Sequence, residues 1–188
     1  MKKVIYWMNV SLDGFVETRD GKIDWTVPDE NLHGYFNEEA RKLSAFLYGR
    51  KTYELMASFW PTADDNPAAP EHIVEFARIW KSKPKIVFSR TLRDVEANVR
   101  IVRDNLGEEI EKLKQAADGD LGLGGAGIAA SFVKLGLIDE FLLFVRPILL
   151  GGGTPYFSPL DHPMQLRLVE RRAFGGGVML LRYQRSEG

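Results

Sequence analysis

Apolar positions along this chain switch repeatedly between a period of two and a period near 3.6, the signatures of strand and helix. Residues 4–10 form a run rich in β-branched and aromatic side chains, which predicts a buried strand that Leu12-Asp13-Gly14 breaks. Residues 17–25 are polar and turn-rich. Pro28-Asp29-Glu30 then marks a helix start, with Leu32, Tyr35, Phe36, Ala40 and Leu43 at helical spacing behind it. Ala45-Phe46-Leu47-Tyr48 predicts a second strand stopped by Gly49, and residues 51–58 a short helix. Residues 60–70 hold three prolines and the adjacent Asp64 and Asp65, as a surface loop does. A helix over 71–80 follows, then a strand over 85–88 that ends at Ser89-Arg90-Thr91, a short strand over 99–102 and a helix over 106–117. A small strand at 121–123 turns through Gly124-Gly125-Ala126-Gly127 into a helix over 128–135, with Gly136 as its C-cap. Residues 141–145 read as a strong strand and 147–157 as a glycine-rich loop. Two last strands, near 165–172 and 178–184, are joined as a hairpin through Phe174-Gly175-Gly176-Gly177, and the chain is expected to fray from Arg185 onward.

Strands alternate with helices for about three quarters of the chain, and strands alone finish it. That order predicts an α/β fold: a mixed, mostly parallel sheet with helices on both faces and an antiparallel C-terminal hairpin. With 188 residues the expectation is one domain over 1–188. The hydrophobic fraction of 45% and the charged fraction of 27% fit an ordinary globule. A net charge of −1 gives no basic field for nucleic acid. Cysteine is absent, which excludes disulfides, thiolate catalysis and Cys-based zinc sites, and three scattered histidines, His33, His72 and His162, argue against a metal centre. No stretch approaches the ~20 apolar residues of a membrane span, and the opening run is too short for a signal peptide. The expected location is the cytoplasm, without a membrane partner.

Three strand ends carry the chemistry. At Gly124-Gly125-Ala126-Gly127-Ile128 a glycine cluster opens a helix, where free N–H groups and the helix dipole suit a pyrophosphate. Gly122, Gly124 and Gly127 also match G-x-G-x-x-G, but the carboxylate that a Rossmann unit needs at the end of the next strand is replaced by Arg146-Pro147. A tight turn without ligand explains this loop equally well when it is taken alone. At Gly49-Arg50-Lys51-Thr52 two cations sit at a helix start, where they oppose the dipole unless an anion binds. At Ser89-Arg90-Thr91 a cation flanked by hydroxyls suits a ribose phosphate. In open α/β sheets ligands lie at the carboxyl ends of strands.

These segments, in this order, resemble the dihydrofolate reductase superfamily. The closer likeness is to the reductase domain at the C-terminal end of the bacterial riboflavin-biosynthesis deaminase–reductase (the RibD C-terminal domain) and its stand-alone relatives. Met8-Asn9-Val10-Ser11-Leu12-Asp13-Gly14-Phe15 resembles that branch's opening motif. Gly49-Arg50-Lys51-Thr52 resembles the superfamily's cofactor motif, Gly124-Gly125-Ala126-Gly127 its second phosphate loop, and residues 147–155 the branch's late glycine loop. The resemblance implies a three-layer α/β/α dihydrofolate-reductase-like fold and NADPH as cofactor. Arg50, Lys51 and Thr52 would hold phosphates, Ser89, Arg90 and Thr91 would flank the adenosine 2′-phosphate, and Gly124 to Ile128 would hold pyrophosphate and ribose. The late loop, including Thr154, would lie near residues 13–25, which would act as a lid. A deaminase domain is not expected, because its zinc signature needs cysteines.

Hydride transfer also needs a proton source. Dihydrofolate reductases place an acid at the start of the helix after a Trp-x-x-Pro segment. Here Trp25-Thr26-Val27-Pro28 precedes Asp29-Glu30-Asn31-Leu32, so Glu30 is the candidate, and an alternative alignment places Asn31 there. An ordinary first-turn carboxylate is the plainer reading of Glu30. Asp13 is the second candidate, against a turn aspartate that bonds backbone. Trp25, Tyr35, Phe36, Phe59 and Trp60 are candidates for an aromatic wall against a planar substrate, or for plain core. The expected activity is NADPH-dependent reduction of a small pterin-like or pyrimidine-ribose substrate. Dihydrofolate reduction and a non-catalytic NADP- or heterocycle-binding protein are the alternatives. Apolar edges at Phe141-Leu142-Leu143-Phe144 and in the final strands suggest a homodimer.

Overall fold

In β1 (Val4–Ser11) the side chains of Val4, Tyr6 and Val10 enter one apolar layer and that of Ile5 enters another, because successive strand residues point to opposite faces. A strand covered on both faces belongs inside a sheet flanked by helices. The computed structural model describes residues 2–186. The chain continues through β2 (Phe15–Glu17), α1 (Glu30–Lys42), β3 (Leu43–Gly49), α2 (Arg50–Ala57), α3 (Glu71–Ser82), β4 (Lys85–Phe88) and β5 (Val99–Val102). It finishes with α4 (Leu106–Ala116), β6 (Asp120–Gly124), α5 (Ala126–Lys134), β7 (Glu140–Arg146), β8 (Thr154–Pro155), β9 (Leu166–Ala173) and β10 (Met179–Arg185).

Among the described residues, eight strands form one sheet in the order β5-β4-β3-β6-β1-β7-β10-β9. Neighbours from β5 to β7 run parallel, and β10 runs antiparallel to β7 and β9. Ile110 of α4 and Ala129 and Phe132 of α5 cover one face, and Ala40 of α1 with Phe76, Ile79 and Trp80 of α3 cover the other. The three-layer α/β/α architecture with an antiparallel hairpin is the one expected. No helix among the described residues is long and apolar enough to cross a membrane.

The departures have local causes. Leu43, expected in the first helix, is the first residue of β3, where its side chain packs on Gly122; a Cβ there would lie 2.4 Å from Leu43 Cδ1. β2 and β8 fall in segments read as turn and loop. They pair only with each other, Phe15 opposite Pro155 and Glu17 opposite Thr154, and are too short to show a period. The glycine-loop helix starts at Ala126 instead of 128, because Gly125 alone, at φ +104°, completes the turn. β10 runs through Arg185, whose N–H donates to Asp139 O at 3.2 Å, and Ser186 N–H donates to Gln165 O at 3.0 Å. Fraying therefore does not begin at Arg185, and the expectation for 187–188 lies outside the described residues. Phe141, Leu142 and Phe144 are buried because β7 is flanked by β1 and β10, so they offer no apolar edge.

Candidate active site

β3 pairs in parallel with both β4 and β6, so the turns that follow these three strands emerge side by side. They also touch. A Cβ on Gly49 would meet Ile128 Cβ at 3.3 Å, and one on Gly125 would meet Thr52 Oγ1 at 2.3 Å, so the first and third turns pack backbone against side chain. Arg50 donates from Nη1 to Thr91 Oγ1 at 3.1 Å and from Nε to Glu54 Oε1 at 2.7 Å, which joins the first turn to the second. Gly49 and Gly125 are the N-caps of α2 and α5, and neither helix start has a side-chain cap. Free N–H groups at two adjacent helix starts, in a glycine cradle that any Cβ would fill, suit a phosphorylated ligand.

The second turn is held from behind. Arg103 donates to the carbonyls of Arg90 at 2.9 Å, Leu92 at 3.1 Å and Ser89 at 3.4 Å. Ser89 Oγ accepts from the N–H groups of Leu92 at 3.1 Å and Thr91 at 3.3 Å. The Ser89 hydroxyl is thus engaged within its own turn. The Arg90 side chain stays 81% exposed, and Asp104, at 3.7 Å, is its one ion-pair partner among the described residues. A guanidinium left in solvent at this rim is available to an anion. Arg103 carried no signal in the sequence, because its role is to bond carbonyls that sequence spacing does not place near it.

Beside these turns lies a cavity of about 420 Å³. Its floor is made by strand ends: Trp7, Met8 and Asn9 of β1, Tyr48 of β3, Gly124 of β6 and Phe144 of β7. One wall is His33 and Phe36 of α1, and the opposite wall is Leu55, Met56, Phe59 and Trp60 around the end of α2. The rings interlock: Phe36 meets Phe144 edge-on at 4.6 Å and Trp60 lies 4.4 Å from Phe76. Burial, and the nearby His72, push the pKa of His33 down to about 4, so its imidazole is neutral at pH 7.

Arg146, at the end of β7, ties the cavity together. It donates from Nε to Asn9 Oδ1 at 2.9 Å, from Nη2 to Thr26 O at 2.6 Å and from Nη1 to Val27 O at 3.1 Å. The short 3-10 turn Asp24–Thr26 is thereby fastened over the floor strand. The late glycine loop is fastened in a similar way. Asp13 accepts from Leu150 N–H at 3.1 Å and Gly151 N–H at 2.7 Å. The Ser11 hydroxyl, with these N–H groups, holds its carboxyl below the usual aspartate range. Gly153, at φ +145°, packs on Glu17 O so closely that a Cβ would lie 1.9 Å away, so only glycine fits.

The structure separates the residues singled out in the sequence. Thr52 and Gly124 line the cavity next to the converging turns, as do Phe36, Phe59 and Trp60. Lys51 donates to both oxygens of Glu17 at 2.8 Å, and Thr154 Oγ1 donates to Glu17 Oε1 at 2.6 Å. Burial opposes the Glu17 charge, but the bonds from Lys51 and Thr154 prevail and hold its pKa low. Thr154 therefore latches β8 to the cofactor-motif lysine and does not line the cavity. Asp13 bonds the glycine loop, and Glu30 and Asn31 are exposed in the first turn of α1. None of the three reaches the cavity lining, so the expected acid is not there. Trp25 is half-buried with Nε1 donating to Lys22 O at 3.3 Å, outside the lining. Tyr35 is on the far side of α1, where its ring packs against Phe144 and Phe174 and its hydroxyl meets Glu170 and Arg182. Helical spacing gave Tyr35 and Phe36 equal claim to the wall; adjacent helix positions differ by ~100° and only one can face a given cleft. Trp7, His33, Phe76 and Phe144 were missed because strand and helix core positions look alike whether they face a cavity or a core.

Comparison with known proteins agrees with this geometry. The model of the RibD C-terminal domain matches residues 2–180. The uncharacterized protein YyaP of Bacillus subtilis (strain 168) is 34% identical over 183 residues, covering 97% of this chain and 94% of that protein. A solved structure from Shewanella sp. PV-4, provisionally assigned to riboflavin biosynthesis, superposes with a TM-score of 0.78 at 26% identity over 98% of this chain and 99% of that one. Dihydrofolate reductase from Enterococcus faecalis, solved with NADP(H), has the same fold at 16% identity, with a TM-score of 0.67 over 98% and 97% of the two chains. Parallel strand ends meeting at uncapped glycine turns, matched over almost the whole length by one family model, place this chain in the RibD C-terminal domain family.

Proposed function

We propose that this protein is an NADPH-dependent reductase of a small planar heterocycle, of the pterin or pyrimidine class, bound in the aromatic cavity. The observation that carries this reading is the meeting of three phosphate-suited turns at the rim of that cavity. In it, the N–H groups opening α2 and α5, with Thr52, hold the pyrophosphate, and Arg50 and Arg90 face the phosphates at the outer rim. Arg90, exposed and close to Thr91, discriminates for the 2′-phosphate of NADPH. The bound cofactor supplies a hydride which, with one proton, reduces a polarised double bond. The aromatic walls exclude water and orient the ring. Among the described residues no carboxyl group lines the cavity, and Asp13 is held below the usual aspartate range by its bonds to Ser11 and the glycine loop.

Titration of NADPH and NADH by thermal shift tests this. A ligand at 100 times its Kd stabilises by about 2.7 kcal/mol. NADPH is expected to stabilise more than NADH, and Arg90→Ala to remove most of the difference. The absence of a shift with either nucleotide overturns the reading. Binding of NADPH without oxidation in the presence of any pterin or pyrimidine would leave a binding protein instead of an enzyme.

A further inference from the structure

Both cations of the turn that opens α2 are paired, but with different kinds of partner. Arg50 bonds Glu54, four residues on in the same helix, so that pair moves with α2. Lys51 bonds a carboxylate from another part of the chain. Its Nζ donates at 2.8 Å to each oxygen of Glu17, 34 positions earlier on β2. Glu17 is fixed in place by the late loop: Thr154 Oγ1 donates to its Oε1 at 2.6 Å, β8 pairs with β2, and Gly153 packs on its carbonyl oxygen. The turn after β2 rests on the lysine too, since a Cβ on Gly21 would lie 3.5 Å from Lys51 Nζ. The Glu17 side chain is 19% exposed and that of Lys51 74%. The anion is thus built into the fold, while the cation is reachable from solvent.

We propose that Glu17 is an internal competitor for the nucleotide phosphates: it holds Lys51 until a phosphate displaces it, and the exchange loosens β2 from α2. Two anions within reach of one ammonium repel each other and divide its attraction. A phosphate group brings more charge and more acceptor oxygens than a carboxylate. An ion pair with so exposed a cation contributes little by itself and is easily exchanged. The contact also reaches the cavity, because Val16 of β2, next to Glu17 in the chain, lines it. Loosening is confined to β2, since Asp13 before it bonds the glycine loop and Thr26 after it is held by Arg146. The proposal rests on the nucleotide site of the proposed reductase and adds to it an autoinhibitory contact that couples the phosphate turn to the cavity wall.

Calorimetric titration of the full chain with NADP+ at pH 7 tests it. Glu17→Gln keeps the shape and an acceptor oxygen for Thr154 but removes the charge. It is expected to bind NADP+ about fivefold more tightly than the natural chain. A contact that only supported the fold would give unchanged or weaker binding when altered. Lys51→Met is expected to bind more weakly, and adding Glu17→Gln to it to gain less than about twofold, because the competitor then has no lysine to hold. Hydrogen exchange of the backbone amides of residues 15–17 is expected to speed up when NADP+ saturates the natural chain. Unchanged or weaker NADP+ binding by Glu17→Gln, a full gain without Lys51, or unchanged or slower exchange in β2 overturns the proposal and leaves the reductase reading standing. Failure of NADP+ to bind the natural chain and every variant overturns both.

Discussion

Lys85 opens β4 with no exposed surface. Its Nζ lies 3.9 Å from the centre of the Trp80 ring and has no hydrogen-bond partner among the described residues. Burial pushes its pKa down to about 8, although Glu96 acts the other way. A cation whose folded pKa lies below its unfolded value destabilises the fold fully below the folded pKa, and the penalty fades as pH rises to the unfolded one. Here the window runs from about 8 to about 10.5, and the full cost is on the order of 3 kcal/mol. Lys85→Met fills the same space without charge. It is expected to raise stability by about 2 kcal/mol at pH 7 and to abolish the rise in stability across that window, as measured by urea unfolding at several pH values. A wild-type stability that stays flat from pH 8 to 10.5 would contradict this. Sequence reading passed over Lys85, because a lysine at a strand start normally reaches solvent. Asp13 was legible as a turn residue, but the backbone it bonds lies some 137 positions away in sequence, and no local pattern reveals that.

At the scale of elements, α1 was legible from its start signal, and the structure shows why that signal works. Asp29 Oδ1 accepts from Leu32 N–H at 2.8 Å, while Arg41 and Lys42 occupy the last turn, where cations suit the dipole. Since α1 presents His33 and Phe36 to the cavity, its anchoring bears on the site. Asp29→Ala is expected to cost about 1 kcal/mol, and Asp29→Asn to restore most of it, read as melting temperatures. Equal melting temperatures for Asp29→Ala and the natural chain would show that the helix start is held by packing alone. Long amphipathic elements such as α1, α3 and α4 announced themselves through many periodic positions. β2 and β8 did not, since each exists through pairing with the other across a long stretch of chain.

For the whole molecule, the sheet order places β9 at an edge, with Leu168 and Val169 exposed on it. Exposed apolar side chains on an unpaired edge favour pairing with another strand. We propose a homodimer through this edge. Light scattering is expected to give twice 21.3 kDa, and a monomer at micromolar concentration refutes it. Of the two apolar edges expected from the sequence, the final strands supply this one, whereas the run in β7 lies inside the sheet.

Local chemistry was sufficient to determine the α/β alternation, the helix boundaries to within a residue or two, and the three glycine- or hydroxyl-bearing turns suited to phosphate, because periodicity, capping and turn propensity act over a few residues. The tertiary structure alone decided that β3 sits between β4 and β6, so that those turns meet. It also decided that Phe36 and not Tyr35 faces the cleft, that Arg146 orients Asn9, and that the expected carboxylates stay outside the cavity. Those outcomes depend on strand order and on contacts between segments from tens to more than a hundred residues apart, where the burial of one face against another outweighs any local preference.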